Sequence, residues 1–361
     1  MGATAKPAAA AGLLSGKALL LGLAAVAIAA VMALGWQHPA LRNELLAALL
    51  LSTAATAAVG YWAVPALQAL KAGQFIREDG PQSHLTKAGT PTMGGVFLVP
   101  VGVAAAVLLT NGAAAVLVAG GVTLAFAAIG WMDDWQVIRR RSNKGISPSM
   151  KLALQLVVGV AFCLWLFFTQ PDEITTVALP GLALPLGWLF WLVAGFVPVA
   201  QSNATNLTDG LDGLMGGTGA IAFLSLAGLT AANHPDLAIF SVCMAGACVG
   251  FLVHNRHPAR VFMGDTGSLA LGGAMAAVGL LSQTLFGLLV VSGIFLAEAL
   301  SVLMQVGYYK ATKDENGVGK RLFKMAPLHH HLELSGWSEL QIVTFLYGAG
   351  LLLGLMSLLL A

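Results

Sequence analysis

Eleven stretches of mostly apolar residues recur along this sequence, at 18–36, 45–70, 93–110, 113–132, 150–168, 186–202, 216–232, 236–254, 267–283, 285–309 and 339–360. A membrane-spanning helix needs about 20 such residues, so most of these stretches have the length to cross a bilayer. Hydrophobic residues make up 58% of the chain and charged residues only 9%, whereas globular proteins carry roughly 25% charged. Such a chain cannot cover a soluble surface with polar groups. Continuous Leu, Ala, Val and Gly runs, without two-residue alternation, predict helices rather than a barrel. The expected fold is therefore all-α: a polytopic membrane helical bundle, read as one integral membrane domain over residues 1–361. Residues 1–40 form an N-terminal extension. Its apolar stretch follows Lys6 and Lys17 and reads either as a retained helix, giving eleven transmembrane helices, or as a signal-like region, giving ten. Cys163, Cys243 and Cys248 all lie inside apolar runs, which argues against a disulfide framework or a metal cluster.

The cations orient the bundle. From residue 45 onward the short connections alternate between two kinds. Asn111-Gly112, residues 169–185, Asn233-His234-Pro235 and Thr284 carry no Lys or Arg. The other kind holds Lys71, Arg77, Lys87, Arg139, Arg140, Arg141, Lys144, Lys151, Arg256, Arg260, Lys310, Lys313, Lys320, Arg321 and Lys324. The positive-inside rule makes this second set cytoplasmic. The net charge of +2 gives no reason to expect a nucleic-acid partner.

The acids, amides and histidines fall on that same side. Asp133-Asp134 ends one apolar stretch, and Asn203, Asn206, Asp209 and Asp212 follow another. Asn255, His257 and Asp265 follow a third, and His329-His330-His331 lies in the 310–338 loop. Charged groups at membrane depth are costly and cluster where they line a polar cavity. An active site built from cytoplasmic loops is the expectation. Several carboxylates beside many cations, with no cysteine ligand, suit Mg²⁺ rather than zinc. Mg²⁺ with Lys, Arg and His stabilises charge on transferring phosphoryl groups. Adjacent Asp133 and Asp134 repel each other, so without a neutralising cation one should have a raised pKa and could act as a base. The run Gly264-Asp265-Thr266-Gly267-Ser268 permits a tight turn whose N–H groups can meet phosphate at a helix start. Glu298, inside an apolar stretch, is expensive unless paired or facing a wet cavity.

Five motifs run in one order: His84-Leu-Thr-Lys87-Ala-Gly-Thr-Pro-Thr92-Met-Gly-Gly95; Asp133-Asp134; Asn203-Ala-Thr-Asn206-Leu-Thr-Asp209-Gly-Leu-Asp212-Gly213; Asn255 with Phe262-Met-Gly264-Asp265-Thr-Gly-Ser268; and Met325-Ala-Pro-Leu-His329-His-His-Leu-Glu333. With these motifs the chain resembles the phospho-N-acetylmuramoyl-pentapeptide transferase (MraY) family, within the polyprenyl-phosphate N-acetylhexosamine-1-phosphate transferases. The likeness covers about residue 71 to the end, and an extra N-terminal span departs from the family's usual ten helices.

The resemblance implies transfer of phospho-MurNAc-pentapeptide from UDP-MurNAc-pentapeptide to undecaprenyl phosphate, giving lipid I and UMP for peptidoglycan synthesis. The setting would be the bacterial cytoplasmic (inner) membrane, with the active site facing the cytoplasm and the protein a homodimer in the lipid bilayer. By motif, Asp133 would deprotonate or orient the lipid phosphate, and Asp265 would hold Mg²⁺ with Asp134 assisting. His330 joins these three as a catalytic candidate. Asn203, Asn206, Asp209, Asp212 and Asn255 would hold the nucleoside-sugar part, and Phe262 would stack on uracil. Lys87, Thr92, Lys144, Gly264, Ser268, His329 and His331 complete the expected substrate-binding set. A two-step route, with Asp265 as covalent nucleophile, is also written for the family. Direct attack is favoured here because the lipid phosphate is already a competent nucleophile. The nearest alternative is a sister enzyme using UDP-GlcNAc. A secondary transporter is a more distant one, since its polar sites should lie near the bilayer midplane.

Overall fold

The computed structural model describes residues 15–70, 87, 89–140, 142 and 144–361. Lys6, Lys71, Arg77, His84 and Arg141 lie outside the described residues. Thirteen α-helices and one short hairpin account for the described chain. In order they are α1 (Gly16–Gln37), α2 (Arg42–Ala69), α3 (Gly95–Leu109), α4 (Ala114–Arg140), α5 (Pro148–Thr169), β1 (Thr176–Leu179), β2 (Leu182–Pro185), α6 (Leu189–Thr208), α7 (Leu214–Thr230), α8 (Pro235–Asn255), α9 (Gly264–Leu281), α10 (Leu285–Val291), α11 (Gly293–Ala311), α12 (Leu328–Glu333) and α13 (Glu339–Leu360).

Each of the eleven apolar stretches is helical. Six helices (α1, α2 with its preceding turn, α4, α5, α8 and α13) are long and apolar enough to cross a membrane, and α10 with α11 forms a seventh candidate bent by 69°. The chain is a multi-pass membrane protein. Helix starts follow local chemistry. Ser147 accepts a hydrogen bond from the Met150 N–H at 3.2 Å, and Pro148 at the first helical position has no N–H to leave unpaired. At α13, Ser338 and Gln341 close a reciprocal capping box, satisfying two donors at once.

The core is built around α8 and α9, which are buried along nearly their full length. Small residues let the neighbouring helices approach them. A Cβ on Gly130 of α4 would lie 2.1 Å from the Asp265 carbonyl oxygen, and one on Gly95 of α3 would lie 2.1 Å from the Gly267 nitrogen. Close backbone approach through small residues is how membrane helices gain packing energy, because lipid tails are as apolar as Leu. Here it brings α3 and α4 onto the first turn of α9, where Asp265 sits.

Several boundaries depart from the sequence reading in ways that matter to the site. Helix α4 continues past residue 132 to Arg140, so Asp133 and Asp134 lie inside a helix rather than at its end. Arg139 and Arg140 in its last turn favour that extension by opposing the negative end of the helix dipole. Helix α6 likewise continues to Thr208 and carries Asn203 and Asn206. Residues 169–185, read as a plain connection, contain the antiparallel β1–β2 hairpin. His329, His330 and His331 lie on α12, a short helix absent from the sequence reading.

Candidate active site

Asp133 and Asp134 are neighbours in sequence but face different partners, since successive helical residues are rotated by about 100°. Asp134 is buried against the start of α9. Its Oδ1 accepts the Asp265 N–H at 3.2 Å, and its Oδ2 accepts the Thr266 N–H at 2.9 Å and the Thr266 hydroxyl at 2.6 Å. Helix N-termini leave such N–H groups without intrahelical partners, and Asp134 caps them from another helix. Its carboxylate positions Asp265.

Asp133 points elsewhere. Its Oδ1 lies 3.3 Å from the Lys151 ammonium and accepts the Ile146 N–H at 3.1 Å. A Cβ on Gly145 would come within 2.4 Å of that oxygen, so the 145–146 backbone can wrap the carboxylate only with glycine there. Lys151 also donates to Asp265 Oδ2, and so bridges two acids from α4 and α9. The other Asp265 oxygen accepts from Asn206 Nδ2 at 2.8 Å, and the same amide donates to Ser268 Oγ at 2.9 Å. Asp133, Lys151, Asp265, Asn206 and Ser268 thus form one polar cluster joining α4, α5, α6 and α9. The repulsion expected between Asp133 and Asp134 is resolved by separation: one acid meets a cation, the other a row of donors.

Asp209 follows α6 and lies close to the Gly264 backbone. Burial, then the Asp265 and Asp134 carboxylates, push its pKa up to about 8. Gly264 adopts φ +73°, and a Cβ there would meet Asp134 Oδ2 at 2.7 Å and Thr92 Oγ1 at 2.8 Å. Glycine is required on both counts. Thr92 is therefore packed at the same turn. Phe262 is half-buried two residues earlier. Its N–H donates to the Pro91 carbonyl at 2.8 Å, and its own carbonyl accepts the Gly94 N–H at 2.8 Å, which ties the Thr92 motif to the Asp265 motif.

A second cluster adjoins the first through residues 209–213. Asp212, almost fully buried, holds the Lys87 ammonium at 2.8 Å on one oxygen. Its other oxygen accepts from Ala259 N–H at 3.0 Å and lies 3.1 Å from His257 Nδ1. Glu339 Oε2 lies 2.8 Å from the same Lys87 Nζ and 3.4 Å from His257. Burial alone would lower the Lys87 pKa, but Asp212 and Glu339 outweigh it and hold the ammonium above its usual value. Asn255 is buried and fully engaged, accepting the Gly213 N–H at 3.1 Å and donating to the Val261 carbonyl at 2.8 Å. It holds the backbone that presents Asp212 and Phe262.

The remaining expected residues are dispersed. Asn203 bonds to Gln155 Oε1 at 2.9 Å and to the Val199 carbonyl. Lys144 is exposed, two residues before the Ile146 N–H that meets Asp133. His329 is buried and its backbone N–H donates to Glu298 Oε2 at 3.3 Å, so the costly intramembrane acid finds a partner on α12. A Cβ on Gly210 would lie 2.1 Å from His329 Nε2, which sets that ring against the 209–213 turn. His330 contacts Glu333 Oε2 at 2.7 Å, and His331 Nδ1 accepts the Lys324 N–H at 3.2 Å.

Two residues at the centre of these clusters, Lys151 and Glu339, were not singled out from sequence as site residues, and His257 was placed among the cytoplasmic polar groups without a role. Lys151 carried a legible signal, a lone ammonium in the first turn of an apolar helix. Glu339, in the first turn of α13, has the local sequence of an ordinary helix-start acid.

Comparison with known proteins identifies the family of this chain. The family model described as Glycosyl transferase family 4 matches residues 115–283. Phospho-N-acetylmuramoyl-pentapeptide-transferase signature 1 matches residues 87–99, the segment that delivers Lys87 and Thr92. A Trichormus variabilis protein named phospho-N-acetylmuramoyl-pentapeptide-transferase is 59% identical over 353 residues, covering 96% of each chain. Proteins of the same name from a Nostoc species (60% over 339 residues, 92% of each chain) and a Synechocystis species (59% over 347 residues, 95% of each) are similarly close. Sharing well over half its residues with them along almost its whole length, this chain belongs to the phospho-N-acetylmuramoyl-pentapeptide-transferase family.

Proposed function

We propose that this protein transfers phospho-MurNAc-pentapeptide from UDP-MurNAc-pentapeptide to undecaprenyl phosphate, producing lipid I and UMP. The reaction is Mg²⁺-dependent and takes place at the cytoplasmic face of the bacterial inner membrane, in a homodimer. The observation that carries this reading is the Lys151 ammonium shared between Asp133 and Asp265, a preorganised cation between two acids next to the Asp209–Asp212 turn.

The donor set fits a magnesium ion. Asp133 and Asp265 are hard oxygen donors that already share one cation, and the three cysteines lie on the hydrophobic helices α5 and α8. Asp265 would hold the ion. Asp134 would serve it indirectly, since both its oxygens are committed to the start of α9. When bound, the ion neutralises charge on the diphosphate.

Asp133 takes the proton from a lipid monophosphate, and a phosphate oxygen then bonds to the β-phosphorus of the nucleotide sugar. The bond from that phosphorus to the bridging oxygen breaks, and UMP leaves with the electron pair. Lys151 offsets charge developing on the transferred phosphoryl group. Direct attack is favoured over a covalent Asp265 intermediate because the lipid phosphate is already a competent nucleophile. Lys87 and Asp212, with Phe262 on the adjoining strand of backbone, bind the uridine nucleotide.

A detergent assay following UMP release from UDP-MurNAc-pentapeptide and undecaprenyl phosphate tests the reading, run beside UDP-GlcNAc. Release with the muramoyl substrate that stops in EDTA is the expected result. Release only from UDP-GlcNAc, or from neither nucleotide sugar, would overturn it.

A further inference from the structure

Helix α1 lies outside the five motifs, yet its first turn reaches the nucleotide half of the site. One stripe of α1 is buried, through Gly16, Leu23, Ala27, Val31, Leu34 and Gly35, at the spacing of a single helical face. At its start, capped by the Ser15 hydroxyl on Ala18 N–H, Gly16 is pressed against the His257 backbone. A Cβ on Gly16 would lie 2.1 Å from the His257 carbonyl oxygen and 2.9 Å from its nitrogen. Only glycine fits there without moving one of the two backbones.

His257 is fixed from both sides. Its outer, backbone side rests on Gly16; its imidazole meets Asp212 at 3.1 Å and Glu339 at 3.4 Å. Two residues on, the Ala259 N–H donates to the same Asp212 oxygen, whose partner oxygen holds Lys87. A small cavity beside this contact is lined by Leu19 and Leu20 of α1 together with Asp212, Gly213, His257 and Tyr347. The Tyr347 hydroxyl donates to the Gly213 carbonyl at 2.7 Å. The 255–260 segment therefore sits between α1 outside and Asp212 inside, and it leads directly to Phe262.

We propose that the first turn of α1, through Gly16, is a positioning element for the nucleotide half of the active site. It holds the 255–260 segment so that Asp212, Lys87 and Phe262 meet the uridine nucleotide in register. The proposal rests on the assignment of that half to the nucleotide sugar. Displacing His257 by the ångström or so that a methyl group demands misplaces these three groups together, and misplacements of that size can cost on the order of 100-fold in enzyme function. Because the displaced groups bind rather than react, the loss falls on affinity.

The experiment measures UDP-MurNAc-pentapeptide affinity by calorimetry on purified full-length protein, together with KM and kcat for both substrates. Gly16→Ala adds bulk at the contact; Leu19→Ala with Leu20→Ala removes part of the cavity lining without adding any. Gly22→Ala, where a Cβ meets nothing within 4 Å, is the control on the same helix. The expected result is nucleotide-sugar affinity weakened about 10-fold or more by Gly16→Ala, weakened in the same direction by the double variant, and unchanged by the control. Lipid-phosphate KM and kcat should stay within about two-fold of wild type. Unchanged nucleotide affinity in both variants, or a loss confined to kcat or lipid-phosphate KM, would overturn the proposal. A wild-type protein that binds no nucleotide sugar would instead overturn the functional reading beneath it.

Discussion

The Lys151 ammonium lies 3.3 Å from Asp133 Oδ1 while also donating to Asp265. Asp133 and Asp265 come from helices α4 and α9, and no other cation among the described residues is paired with either of them. Replacing the ammonium leaves two carboxylates facing each other and removes a charge aimed at the transferring phosphate. Lys151→Met should lower kcat by on the order of 10²–10³, the usual effect of losing one preorganised electrostatic group. UMP release by a monodisperse variant checks this, and turnover within a few-fold of wild type would remove Lys151 from the mechanism.

Asp265 is the expected metal ligand. Asp265→Asn retains the shape and an acceptor for the Asn206 amide but discards the negative charge. A loss of about 10²–10³ in rate is expected, with a higher Mg²⁺ concentration needed for half-maximal activity. Full activity of the wild type in excess EDTA, or unaltered Mg²⁺ dependence of the variant, contradicts the assignment.

Asp134 should behave differently from its neighbour. Three donors converge on its carboxylate, and Asn can present only one acceptor oxygen to them. Asp134→Asn should cost about 1–3 kcal/mol, the range for leaving a buried partner unsatisfied, seen as a lower melting temperature in detergent. The half-saturating Mg²⁺ concentration should move less than about three-fold, because the oxygens being lost are those that cap α9. A large shift in Mg²⁺ dependence with unchanged melting would show that Asp134 is a direct ligand instead.

Asp209 gives the metal-free protein a pH dependence. Its folded pKa of about 8 lies above the ordinary value of 3.8. Below the ordinary value both folded and unfolded chains hold the proton, so the contribution is fully present. Between the two values the unfolded chain holds fewer protons, and stability falls as pH rises; above about 8 the loss levels off. Melting temperature in EDTA should therefore decline from pH 5.5 to pH 8, and Asp209→Asn should flatten that slope. An identical slope in the variant would assign the pH dependence to other groups.

Phe262 is held by backbone bonds to Pro91 and Gly94, leaving its half-buried ring as a platform. Phe262→Ala should weaken binding of the nucleotide sugar by about 1–3 kcal/mol, as for bases stacked on aromatic side chains, with kcat little altered. An effect on the lipid-phosphate KM alone would place the ring at the other substrate.

What the sequence determined by itself follows from short-range physics. Hydropathy over windows of about 20 residues located all eleven helical stretches, because burying apolar side chains in lipid depends on composition along the chain and hardly on its path. The same holds for the acids, amides and glycines of the motifs, whose chemistry is intrinsic. Tertiary structure alone decided their division of labour. Asp133 and Asp134 are adjacent, yet helix rotation sends one to Lys151 and the other to Thr266, 132 residues away. Lys87 meets Glu339 across 252 residues, a pairing for which neither local sequence carries a signal. Gly16 looks like any glycine in an Ala-rich segment until α1 docks and brings it against His257. Electrostatic and steric effects at the site act over a few ångströms through space, and only the packing of α1, α4, α5, α6, α9 and α13 sets which groups lie within that reach.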